Sequence, residues 1–285
     1  MSRYCTYSPA CFLDSHEKWQ DVEGAPELTK TKLGPGLTVG GNAGGVVPRG
    51  TGNNARTKAF EKFLHLLLEA HVPHCDGKSL KLLRMKILSK LGSTIEVRQS
   101  WGAKSLYING CPQSQGAYRR DWKTILSKAG VDQLPKLGSA LVLGLGGGDL
   151  AKILEKRWPN WFITFVELES EVVLVAEKYF GVGNTVGRKI VVADAEKYMT
   201  KNITKYNLVI VDLYSGDDVP KFVAGDKFLR QVALALTPHG KAIFNFASHS
   251  FRENDFAEFE KKLHKYFSQV EKLKSWGHTY YLTMN

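Results

Sequence analysis

Apolar residues recur along this chain with two periods, and the alternation between them marks out elements. From 140 to 143 an uninterrupted apolar run, too short for a helix and ended by glycine, predicts a buried strand. After the turn Gly144-Leu145-Gly146-Gly147-Gly148-Asp149, the spacing of Leu150, Ile153, Leu154 and Trp158 predicts a helix that stops at Pro159. A second strand, 161–166, runs into Glu167, and a helix follows over 170–180. A third strand covers 189–192 and ends in Ala193-Asp194-Ala195. The continuous apolar run 207–213 is a fourth, with Asp212 near its C-terminal end. Beyond the loop Ser215-Gly216-Asp217-Asp218 come a helix over 227–236, a turn at Pro238-His239-Gly240 and a strand at 242–246. A helix over 255–266 and closing strands at 270–275 and 279–283 complete the series.

Upstream the pattern is weaker. Residues 1–55 are too dense in glycine for a regular element and read as a flexible N-terminal segment. Phe60, Phe63, Leu64, Leu67 and Leu68 share one face of a helix over 57–72. The stretch 78–91 fits either a helix or a strand, with the helix preferred, while 94–99 and 104–109 alternate as the strands of a small β-hairpin that turns at Trp101-Gly102-Ala103. A helix over 118–128 leads through Pro135 into the first strand. Three regions result: 1–55, a small helical and hairpin region over 56–135, and a nucleoside-binding domain over 136–285.

Strands alternating with helices predict an α/β fold, a doubly wound and mostly parallel seven-stranded sheet preceded by the small hairpin. Ligands of such sheets lie at the C-terminal ends of the strands, where Gly144, Glu167, Asp194, Asp212 and Asn245 fall in successive strands. Strand, glycine turn, helix, strand and acid is the plan of a nucleoside-binding unit: the glycines admit a ligand close to backbone, and the acid can accept both ribose hydroxyls. The dinucleotide pattern needs glycine at position 149, which Asp149 occupies. A carboxylate there repels pyrophosphate and suits the ammonium or sulfonium of an S-adenosylmethionine-type ligand.

Composition adds bounds. The 285 residues, 43% hydrophobic, can bury one sizeable core with a smaller appendage, or two modest domains, and no apolar run reaches membrane-spanning length. With no apolar stretch behind Arg3, a cytoplasmic home without a secretory signal is expected, and no membrane partner. Cys5, Cys11, Cys75 and Cys111 form no C-x-x-C pair and read as free thiols, so no metal is assigned. The net charge of +11 is concentrated in residues 1–135, with 19 Lys and Arg against 11 Asp and Glu. That surplus can serve contact with nucleic acid or an acidic protein, although a solvated surface explains it better, because the basic residues are scattered and no aromatic-interleaved motif accompanies them.

Several stretches resemble the spermidine synthase (polyamine aminopropyltransferase) family of the class I S-adenosylmethionine-dependent methyltransferase-like superfamily, whose sheet is Rossmann-like. LVLGLGGGDL at 141–150 resembles its first motif, with the aspartate. VELESEVVLVAEKYFG, VVADAEKYM, VIVDLYSGDDVP and LTPHGKAIFN follow it in the family's order, and SWGAKSLYINGCPQS is similar to its hairpin lid. The resemblance implies that Gly144, Gly146, Gly147 and Gly148 hold the methionine-derived part of the nucleoside and Asp149 its amine. It gives Glu167 the ribose, Asp194 with Ala195 the adenine, and Gln113 a supporting place at the lid. Asp212 matches the acid that orients or deprotonates an attacking amine. Ser215 stands where the family has a second loop acid, with Asp217 and Asp218 close by.

An enzyme with decarboxylated S-adenosylmethionine or S-adenosylmethionine as its donor is thus expected, transferring an aminopropyl group to a small-molecule amine. A homodimer is compatible with the resemblance. Methyl transfer to a protein, nucleic acid or small molecule is the alternative, since Leu150 follows Asp149 as in the methyltransferase-like branch. An inactive binding module is the third reading.

Overall fold

The computed structural model describes residues 83–285 apart from 101, 115, 217, 248–252 and 276. The segment 1–55 and the helix expected over 57–72 lie outside the described residues.

The chain first builds a four-stranded antiparallel sheet in the order β1-β2-β3-β4, from β1 (Leu83–Leu88), β2 (Thr94–Ser100), β3 (Ala103–Ile108) and β4 (Cys111–Ser114). The expected hairpin is β2 with β3, and strands on both sides extend it. The helix expected over 78–91 is not formed across Leu83–Leu88, where β1 is a strand. Cross-strand partners decide the matter: Met85 pairs Val97 and Lys86 pairs Glu96. A period-two burial, with Met85 inside and Arg84 and Lys86 outside, replaces the helical spacing of leucines. Glu96, buried on β2, is held by Arg84 at 2.5 Å and Arg98 at 2.8 Å.

After α1 (Gly116–Lys128) comes the main sheet, with α2 (Asp149–Arg157), α3 (Ser170–Phe180), α4 (Ala195–Lys201), α5 (Asp226–Leu234) and α6 (Glu253–Tyr266) between its strands. These are β5 (Ser139–Leu143), β6 (Phe162–Glu167), β7 (Arg188–Val192), β8 (Tyr206–Val211), β9 (Leu236–Ala247), β10 (Gln269–Ser275) and β11 (His278–Met284). Their order is β10-β11-β9-β8-β5-β6-β7; β5 to β9 are parallel and β11 is antiparallel to both its neighbours. This is the mostly parallel seven-stranded, Rossmann-like sheet expected.

Leu208, Val209, Ile210 and Val211 of β8 are all buried, which requires cover on both faces. One face packs Leu141, Val209, Phe244 and Phe246 against Phe228 of α5 and Phe259 of α6. Helix α4 was not anticipated; Ala195, Tyr198 and Met199 give it helical spacing, and Asp194 caps it by accepting from Lys197 N–H at 3.0 Å. The turn expected at Pro238-His239-Gly240 is instead a bulge within β9. Between Tyr206↔Leu236 and Leu208↔Lys241 the register shifts, and His239 takes a positive φ of 59°.

Because β11 is antiparallel, it delivers its first residue, His278, to the end of the sheet where the parallel strands finish, opposite Ala247. Helix α1 is tied to the same place. Its buried Asp121 accepts from Ser275 Oγ at 2.5 Å and Tyr280 Oη at 2.7 Å, and Trp122 packs edge-on to Tyr280. One turn earlier, Tyr118 therefore lies over His278, rings 5.7 Å apart.

Candidate functional site

The site grows from the turn after β5. Gly144 N–H donates to Val166 O, and Asp212 N–H donates to Leu143 O at 2.9 Å, so the ends of β6, β5 and β8 meet there. Gly144 has φ 99°, and a Cβ on it would run into the backbone carbonyl of Asp212; only glycine permits that approach. Further along, a Cβ on Gly147 would lie 2.5 Å from Ser114 of β4, so the four-stranded sheet closes over the turn. Gln113 presses its backbone carbonyl toward Gly146. Gly148, at φ 77°, packs against Val182 and leads into α2.

Glu167, at the end of β6, is half-buried. Its carboxylate accepts from Leu145 N–H and Glu169 N–H, both at 3.1 Å. Burial raises its pKa above the usual carboxylate value, and those backbone donors only partly oppose it. Asp194 and the buried Ala195 follow the end of β7, and Asp194 is there a helix cap.

Asp149 is 6% exposed and already partnered. Its Oδ2 accepts from Ser114 Oγ at 2.6 Å, and its Oδ1 from Arg119 Nε at 2.9 Å and a terminal guanidinium nitrogen at 2.6 Å. Sequence reasoning placed an open acid here. The arginine comes from α1, thirty residues upstream, and nothing in the local pattern pairs the two.

Asp212 follows β8 and is half-buried. Asn245 of β9 donates its amide to Asp212 Oδ1 at 2.8 Å, and Oδ2 has no partner among the described residues. Burial pushes the Asp212 carboxyl up to about 6, the Asn245 hydrogen bond working the other way. Such a carboxylate is ionised at neutral pH yet basic enough to take a proton from an amine or pass it on. Of the other two loop acids, Asp218 is exposed, with its backbone bridged to Ser215, and Asp217 lies outside the described residues.

Three aromatic side chains that sequence reasoning missed lie beyond Asn245 on the β11 side. His278 Nδ1 lies 3.0 Å from Asn245 Oδ1 and 3.3 Å from the Tyr214 hydroxyl, and Tyr118 meets the His278 ring edge-on. Only the antiparallel course of β11 brings His278 here, a topological fact with no local signal. The structure thus gathers Gly144, Glu167, Asp149, Asp212 and Asn245 around one end of the sheet. Among the described residues no group of three or more His, Cys, Asp or Glu could hold a metal ion, and no helix is long and apolar enough to cross a membrane.

Comparison with known proteins agrees with this geometry. The profile of the spermine/spermidine synthase domain matches residues 128–284, more than half the chain. A polyamine aminopropyltransferase of Vibrio vulnificus is 23% identical over 147 residues, covering 50% of this chain and 49% of its own length. An eEF1A lysine and N-terminal methyltransferase of Bos taurus is 32% identical over 117 residues, covering 37% of this chain but 17% of its own. The chain thus spans half or less of the length of these relatives. In three dimensions, a spermidine synthase in complex with the transition state analogue AdoDATO superposes with a TM-score of 0.56 at 16% identity, over 72% of this chain and 73% of its own. That likeness is one of fold.

Proposed function

The chain belongs to the spermine/spermidine synthase family, and from that premise we propose that it transfers an aminopropyl group from an S-adenosyl sulfonium donor to an amine acceptor. The observation that carries the reading is Asp212: a carboxylate with one oxygen tied to Asn245 and the other with no partner among the described residues, against the turn where the donor's sulfur end would lie.

The residues present fit such a donor. The Gly144–Gly148 turn is glycine at all positions but the buried Leu145, which leaves little side chain to exclude it, and Glu167, oriented by two backbone N–H groups, can accept from two ribose hydroxyls. Leu168 beside it is exposed and offers an apolar surface to a base. The donor supplies an electrophilic carbon attached to positive sulfur. Asp212 attracts and orients the acceptor's ammonium, and its Oδ2 takes the proton, which frees the nitrogen lone pair to form the new C–N bond as the C–S electrons return to sulfur.

Methyl transfer is the second reading, and Arg119 favours it. A guanidinium on Asp149 largely neutralises the acid that would hold the donor's ammonium, and it offers a partner for an α-carboxylate, which the aminopropyl donor lacks. Calorimetry of the full chain separates the two. Tighter binding of decarboxylated S-adenosylmethionine supports aminopropyl transfer, tighter binding of S-adenosylmethionine supports methyl transfer, and binding of neither removes both.

A further inference from the structure

Asp212 is the end of a chain of hydrogen bonds that reaches β11, 66 residues further on. Asn245, 5% exposed, donates with Nδ2 to Asp212 Oδ1, which leaves its own Oδ1 as an acceptor. His278 Nδ1 lies 3.0 Å from that oxygen, so the imidazole must carry its proton on Nδ1, and the same N–H also faces the Tyr214 hydroxyl. An amide is symmetrical in shape and reversed in polarity when flipped. Without the His278 donor, Asn245 can turn its oxygen toward Asp212, where two acceptors would repel. The ring itself is fixed by Tyr118 edge-on, by Tyr214 edge-on at 6.3 Å and by Tyr280 stacked behind it at 6.0 Å. Tyr280 is in turn anchored on Asp121 of α1.

We infer that Asn245 and His278 are positioning residues for Asp212: the imidazole sets the amide's polarity, and the amide holds one carboxylate oxygen so that the other faces the amine acceptor. The identity of that acceptor rests on the proposed transfer reaction; the positioning itself does not. An amide carries no proton onward, so the pair orients Asp212 and is not a route for its proton. The other titratable groups around it are Tyr118 and Asp121 of α1, Tyr214 of the loop and Tyr280 of β11. Burial keeps the hydroxyls of Tyr214 and Tyr280 far above neutrality, so both stay uncharged.

The test is a carboxyl-carbon NMR titration of the full chain labelled at aspartate, with the Asp212 signal identified by its loss in Asp212→Asn. Asn245→Ala should raise the Asp212 pKa, by about 0.5–1 unit for one lost hydrogen bond. His278→Ala should raise it in the same direction, and the double variant no further than Asn245→Ala alone, because His278 acts through Asn245. His278→Asn, which can still donate to Asn245 Oδ1, should restore the wild-type value and shows that loss of fold is not the cause. An Asp212 pKa unmoved in His278→Ala, or additive shifts in the double variant, would overturn the inference. Turnover is not needed for this readout, so absence of transferase activity would sink the proposed function and leave the positioning claim intact.

Discussion

Asp212 and Glu167 stand at the ends of β8 and β6, on either side of β5, and both are raised in pKa by burial, but the proposed reaction gives them different work. For Asp212 the consequences are kinetic and thermodynamic. In the proposed reaction its ionised form is the active one, so transfer should rise with pH through about 6 and level off above it. Asp212→Asn should slow turnover by roughly 100-fold or more with nucleoside affinity little altered, since a positioned base is lost and the shape kept. A carboxyl with a folded pKa near 6 against an ordinary 3.8 binds its proton more tightly in the folded state. Folding is therefore favoured at acid pH, and this contribution is lost as pH rises from about 4 to 6. Asp212→Asn should accordingly stabilise the protein at pH 7, by at most about 3 kcal/mol, and not at pH 3.5, as urea titrations at the two values would show. A variant destabilised at neutral pH would mean that the carboxylate holds the fold. Glu167→Ala, by contrast, should weaken S-adenosyl nucleoside binding by about 2–5 kcal/mol, the loss of two charge-assisted hydrogen bonds. Unchanged affinity in calorimetry would withdraw the ribose from Glu167.

Among the elements, the glycine turn and the end of β8 form one unit. Gly144→Ala forces a side chain at φ 99° and against the Asp212 carbonyl, so it should destabilise by about 2 kcal/mol or more and lower turnover together with stability. A variant that kept wild-type stability and rate would show that the two strand ends are not coupled. The turn was legible in the sequence because glycine density and an apolar run are local signals. So were β5 to β8 and the helices α2 and α3, where continuous apolar runs or one-sided stripes leave little choice. Two elements were misread where partners outside the window decide: β1 takes its conformation from β2, and the Pro238-His239-Gly240 bulge exists because β9 keeps pairing with β8 on both sides of it. Helix α4 leaves no clear mark in the sequence because its two turns are short for a period to register.

At the scale of the whole molecule, the site joins parts that are far apart in the chain. The parallel strand ends were predictable as a row: Glu167 ends β6, and Gly144, Asp194 and Asp212 come just after β5, β7 and β8. The opposite wall comes from Ser114 and Arg119 upstream and from His278 downstream, and only the tertiary fold assembles it. Asp149 shows what that hides: an acid that reads as an open receptor for an amine is in the folded protein ion-paired to Arg119. The two transfer reactions differ in the nucleoside they release. Aminopropyl transfer leaves the methyl group on sulfur and yields 5′-methylthioadenosine, while methyl transfer removes it and yields S-adenosylhomocysteine. The most direct measurement is therefore the nucleoside product, by mass spectrometry, after incubating the full chain with each donor and a diamine such as 1,4-diaminobutane. The account predicts 5′-methylthioadenosine from decarboxylated S-adenosylmethionine, formed in step with an aminopropylated amine and lost in Asp212→Asn. S-adenosylhomocysteine formed from S-adenosylmethionine, with the decarboxylated donor left intact, would contradict it.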